Sequence, residues 1–145
     1  MLKGISFKAI FIGMLIAMGS TLASSFILVL GSYFYAGWQG VPAQEEGSHF
    51  RTLIHTFPMM LLGIALGGLS TLFGGFITGW MAKQYEMKNT AVMGMLLTLT
   101  GIPFFAHYPI WYDVLGSLLT IFPAIFGGYL ATLLFHRNPS PSVPA

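Results

Sequence analysis

Residues 52–82 read TLIHTFPMMLLGIALGGLSTLFGGFITGWMA, 31 consecutive positions without Asp, Glu, Lys or Arg. A helix needs about 20 apolar residues to cross a hydrocarbon core. This run exceeds that length, and so do residues 9–44 (36 positions), 89–112 (24) and 114–136 (23). Inside lipid every backbone N–H and C=O must be satisfied within the chain, which leaves helices or closed barrels. The runs far exceed the roughly 10 residues of a barrel strand and lack strict alternation. The expectation is an all-α integral membrane protein with four transmembrane helices, near 9–35, 58–81, 90–106 and 114–135. Residues 1–137 then form a single four-helix domain. Residues 138–145 hold three prolines and two serines and read as a disordered cytoplasmic tail.

Composition agrees. The 145 residues include six Lys or Arg and four Asp or Glu, 7% charged, with 55% hydrophobic and a mean hydropathy of +0.77. Soluble domains carry about 25% charge, so an ordinary water-soluble enzyme and a chain disordered throughout are excluded. Six scattered basic residues cannot build a phosphate-binding face, which excludes nucleic acid as a partner. There is no cysteine, and with it go disulfides, thiol catalysis and cysteine-ligated metals.

The connections set the orientation. Residues 36–57 hold Gly37, Gly40, Pro42 and Gly47 beside Glu45 and Glu46 and read as an exposed loop. Residues 83–89 form a short charged link and 107–113 a short aromatic one. Lys3, Lys8, Lys83, Lys88 and Arg137 fall on one side of the four-pass map and Arg51 alone on the other. Cytoplasmic loops carry the excess of Lys and Arg, so both termini are expected in the cytoplasm of a bacterial inner membrane. Tyr33, Tyr35, Trp38, Tyr108, Trp111 and Tyr112 gather at the outer boundary, with Trp80 and Tyr85 at the inner one. Lys3, Lys8 and the apolar stretch to Ala23 imitate a signal peptide. The apolar run continues to Tyr35, so the first helix is read as retained.

The chain also repeats itself. Leu62-Gly63 and Phe73-Gly74-Gly75-Phe76 return 53 positions later as Leu115-Gly116 and Phe126-Gly127-Gly128-Tyr129. Small residues recur every four positions at Gly63, Gly67, Thr71, Gly75 and Gly79. The same offset lands on Gly116, Thr120, Ala124, Gly128 and Thr132. Gly13-Met14-Leu15 and Gly94-Met95-Leu96 pair the other two helices more weakly. The expectation is two helical hairpins repeated in parallel, with both stripes packing helices. Small residues let backbones approach where lipid offers no hydrophobic drive. A second stripe, Ser70, Gly74, Thr78 and Ala82, is read as a face that could dock another copy or another protein.

Chemistry is sparse. Glu45, Glu46, His49, Arg51, His55, His107 and Asp113 are the outer-side polar residues, with Arg51, His55, His107 and Asp113 the candidate site. Three histidines on one side raise a haem or metal hypothesis, but no ligand spacing such as HExxH is present. Ser20, Thr21, Ser24, Ser25, Ser70, Thr71, Thr98, Thr100 and Thr120 gather towards the midplane, either as a polar path or as interhelical hydrogen bonds. No ionisable residue lies at depth, which weighs against a pump or proton-coupled carrier. Pro123 frees the Leu119 carbonyl, and Thr120 is expected to help satisfy it. The methionines, Met14, Met18, Met59, Met60, Met93 and Met95, read as apolar filler rather than copper ligands. No nucleophile–base pair or phosphate-binding loop points to an enzyme.

Gly74–Gly79, and Pro109–Tyr112 through Gly127–Ala131, resemble small uncharacterised four-helix inner-membrane proteins of bacteria. That resemblance spans about residues 62–131 and implies fold and location without an activity. The expected role is therefore a non-enzymatic accessory or scaffold subunit, without cofactor, packing through Gly-rich faces against a membrane complex or as a homo-oligomer. A small oligomeric channel or carrier for a neutral solute is the alternative. A haem- or metal-binding electron-transfer subunit is the weaker one.

Overall fold

The computed structural model describes residues 4–82, 85–104 and 108–135. The expected tail, 138–145, and His107 lie outside the described residues. Among the described residues five helices occur in order: α1 Phe7–Trp38, α2 Glu46–Ile54, α3 Phe57–Ala82, α4 Glu86–Gly101 and α5 Ile110–Phe135, with a 3-10 turn at Ile102–Phe104 after α4.

The all-α class stands, but the expectation of four transmembrane helices is corrected. Among the described residues three helices are long and apolar enough to cross a membrane: α1, α3 and α5. At 1.5 Å per residue the 26 residues of α3 and of α5 span about 39 Å, and the 16 of α4 only about 24 Å. That is short of a hydrocarbon core of about 30 Å. The charge-free run 89–112 misled because its length is not all helix. It starts one turn inside α4, and Gly101 and Pro103 end the regular helix before its midpoint is far passed. The repeat of two equal hairpins fails with it, since the 32-residue α1 has only the 16-residue α4 as its counterpart.

The long first connection is also not simply a loop. Gly40 takes φ +72° after α1, and Val41 N–H reaches the Ala36 carbonyl (3.0 Å) while Gly40 N–H reaches Gly37 (3.1 Å). This Schellman-type ending satisfies carbonyls that the helix end would orphan. The chain then turns into α2, whose Glu46, His49, Phe50, Leu53 and Ile54 share one half-buried face at helical spacing. Thr56 Oγ donates to the Leu53 carbonyl (2.7 Å), and Pro58 sits in the first turn of α3, where its missing N–H costs little.

At one end, here the basal end, the four longer helices meet. Asn89, fully buried, accepts the Ser6 N–H at Oδ1 (2.7 Å) and donates from Nδ2 to the carbonyls of Gly4 and Tyr85 (3.0 Å each). Ser6 in turn caps α1 by accepting the Ala9 N–H. Trp80 and Phe135 rings lie 6.0 Å apart, so the start of α1 and the end of α5 share this end. The other, lidded end carries α2, with Phe50 stacked on Tyr33 (6.1 Å) and Phe57 against Trp111 (5.6 Å).

α3 is the hub, antiparallel to α1 and parallel to α5, with α4 closing on α5. Gly74 faces α1: a Cβ there would stand 2.6 Å from the Gly13 carbonyl and 2.8 Å from Ala17 Cβ. Thr78 Oγ donates to the Gly74 carbonyl (2.9 Å) and lies 3.1 Å from the Met93 sulfur and 3.4 Å from the Ala9 carbonyl. The second stripe is therefore not spare along Gly74 and Thr78. α1 covers it.

Candidate functional site

The ten stripe residues divide sharply. A Cβ on Gly75 would strike the backbone of Ala124, and one on Gly79 would stand 2.8 Å from Gly128 Cα. Gly128 also takes the Thr90 side chain against it (2.5 Å to Cγ2 from a built Cβ), and the Thr71 hydroxyl reaches the Leu119 carbonyl at 3.4 Å. A Cβ on Gly63 would stand 3.2 Å from the Tyr112 hydroxyl. Gly67 and Gly116, by contrast, have open space where a Cβ would go. Thr120 and Thr132 return their hydroxyls to the carbonyls four residues back, Gly116 and Gly128. The contacting pairs Gly63–Tyr112, Gly75–Ala124 and Gly79–Gly128 are 49 apart rather than 53. Packing thus runs one helical turn off the sequence repeat.

The carbonyl freed by Pro123 is approached from the neighbouring helix. Thr71 of α3, not Thr120, supplies the hydroxyl near Leu119. The other mid-helix hydroxyls mostly turn back on their own helices: Ser20 and Thr21 to Ile16 and Ala17, Thr98 to Gly94, Thr100 to Leu97. These hydroxyls spend their protons within their own helices.

At the lidded end the helices diverge, and a cavity of about 210 Å³ opens beneath α2. Its walls are Ser25, Leu28, Val29 and Ser32 of α1, Phe50, Leu53 and Ile54 of α2, and Met59, Met60 and Gly63 of α3. Tyr108 and Tyr112 complete it, and among the described residues no lining side chain is charged. The two phenol rings pack at 4.7 Å and form a partition. On their far side lies a shallower cleft of about 190 Å³ that includes Thr98, Asp113, Ser117 and Thr120.

Of the four expected outer-side residues, the three that are described, Arg51, His55 and Asp113, lie in different surroundings. Arg51 is exposed on α2. His55, just past the end of α2, is exposed and lays its ring on Tyr108 at 5.4 Å. Asp113 belongs to the second cleft, where its backbone carbonyl accepts the Ser117 hydroxyl (2.7 Å). His49 points into the protein, its Nε2 buried without a hydrogen-bond partner. Among the described residues no three His, Cys, Asp or Glu side chains are grouped so as to hold a metal ion. Sequence reasoning missed the cavity, the Tyr108–Tyr112 partition and Asn89. The three-to-four spacing of Phe50, Leu53 and Ile54 was the available signal for α2.

No family model, curated protein or solved structure matches the chain. Function must therefore be argued from the side chains themselves.

Proposed function

We propose that this is a non-enzymatic protein of a bacterial inner membrane that works by sideways association with other transmembrane helices, as an accessory subunit or a homo-oligomer. One observation carries the reading. Between Ala17 and Ser32, the middle of α1 has no buried residue. Gly19, Ala23 and Gly31 are exposed there, with open space around both glycines. A helix this apolar gains nothing from small residues facing lipid, whereas small residues let a partner helix approach closely. The excess of Lys at the basal end, Lys8 and Lys88 among it, supports placing that end in the cytoplasm. A carrier reading draws less support from the hydroxyls behind it, because Thr21, Thr98 and Thr120 bond within their own helices.

The chain has no cysteine, so one introduced at Ala23 reports contacts without interference. Ala23→Cys is expected to cross-link, either to a second copy in liposomes of the purified protein or to one defined subunit in native membranes. Adding Gly19→Leu and Gly31→Leu should suppress that product. A particle of monomer mass that yields no cross-link in either setting would overturn the reading.

A further inference from the structure

We infer that the lidded cavity is a binding site for one small uncharged ring that carries a hydroxyl group, a phenol-like compound. Volume sets the size class: an apolar cavity of about 150 Å³ takes up benzene, and this one offers about 210 Å³. It is smaller than the roughly 300–1,000 Å³ of pockets for larger ligands. The lining sets the chemistry. With no charged side chain on the walls among the described residues, an ion would lose its hydration without compensation from them. Phe50, Tyr108 and Tyr112 present aromatic surfaces to a ring, and Met59 and Met60 present polarizable thioethers.

Oxygen atoms on the walls set the polar handle. Ser32, on the cavity wall, spends its own proton on the Val29 carbonyl (2.7 Å), which leaves its oxygen to act as an acceptor. Tyr108 and Tyr112 carry phenolic O–H groups that can donate. A hydroxyl on the ligand both donates and accepts, and so matches this pair of demands. Access follows from the lid. α2 has no buried residue, and its Glu45 N-cap makes no side-chain hydrogen bond to the helix. Elements with few buried contacts open at low free energy. Tyr33, Trp38 and Trp111 mark this end as the interfacial level where amphipathic rings concentrate.

The test uses the full-length protein in lipid nanodiscs, titrated with 4-fluorophenol and read by fluorine NMR, with empty nanodiscs as the partitioning control. Saturable one-to-one binding is expected, weaker by about tenfold for fluorobenzene, which lacks the hydroxyl. Ser32→Ala should bring the two ligands towards equal affinity. Leu53→Trp, which fills the cavity from the lid, and Gly63→Leu, which fills it from α3, should each remove the saturable component. Gly67→Ala, outside the cavity, should leave it unchanged. Circular dichroism establishes that the variants keep their helices; if Gly63→Leu does not, Leu53→Trp decides. A response no different from empty nanodiscs, undiminished binding by a helical Leu53→Trp variant, or equal affinity for fluorobenzene would each overturn the proposal.

Discussion

The two ends of this molecule are built from the same residue types and pack in opposite ways. At the basal end Gly13, Gly74, Gly75, Gly79, Gly127 and Gly128 bring four helices into backbone contact, and Asn89, Thr78 and Thr90 are fully buried between them. At the lidded end Gly31, Gly67 and Gly116 touch nothing, and the space between helices becomes a cavity under α2. Glycine alone therefore does not make a helix junction. It permits one, and the facing residue decides whether it forms. Where Ala17, Ala124 or Ala131 stands opposite, the backbones close; where Tyr108 and Tyr112 stand opposite, they are held apart.

The comparison breaks most visibly at Gly75. Its Cβ position is occupied by the backbone of Ala124, which cannot swing away as a side-chain end could. Gly75→Leu is expected to lose about 3 kcal/mol or more, read as a fall in thermal midpoint or outright aggregation in detergent. Gly127→Leu, against the Leu72 carbonyl, should behave alike. Asn89→Leu comes next. It leaves the Ser6 N–H and the Gly4 carbonyl without their buried partner and should cost about 2–3 kcal/mol, measured by chemical unfolding in micelles.

At the lidded end the effects shrink. Phe50→Ala removes the ring stacked on Tyr33 and should change global stability by less than about 1 kcal/mol. Hydrogen exchange across residues 46–54 should nevertheless accelerate, because α2 is held by few buried groups. The smallest expected effect is the most instructive. Gly67→Ala lies in the same four-residue stripe as Gly75, yet meets open space. It should be neutral or stabilising by up to about 1 kcal/mol, through the better helix propensity of alanine. A marked loss of stability for Gly67→Ala would mean that the two ends do not differ as described.

Much of the architecture was legible in the chain. The charge-free runs identify α1, α3 and α5 as apolar helices, and the Gly74–Gly79 segment does lie in close helix contact. The errors have physical causes. Absence of charge says that a run tolerates lipid, not that it stays helical, so Gly101 and Pro103 shorten α4 within an uncharged stretch. The stripe of ten residues was drawn from spacing, and spacing cannot tell that Gly67 and Gly116 face nothing. For the candidate site, His55 and Asp113 do border the Tyr108–Tyr112 region, His55 through its ring contact with Tyr108 and Asp113 in the second cleft. Arg51 turns outward instead.

What the sequence determined alone is the solvent and the class: a backbone that needs internal hydrogen bonds, carried by apolar helices rich in small residues. Those properties add up residue by residue along the chain, so they can be read without partners. Tertiary structure decided the rest: the packing register displaced by one turn from the repeat, the closing of Asn89 over two chain segments, and the chamber between α1, α2 and α3. Each of these depends on which surfaces distant residues present to one another, and shape complementarity between remote segments is written in no single stretch.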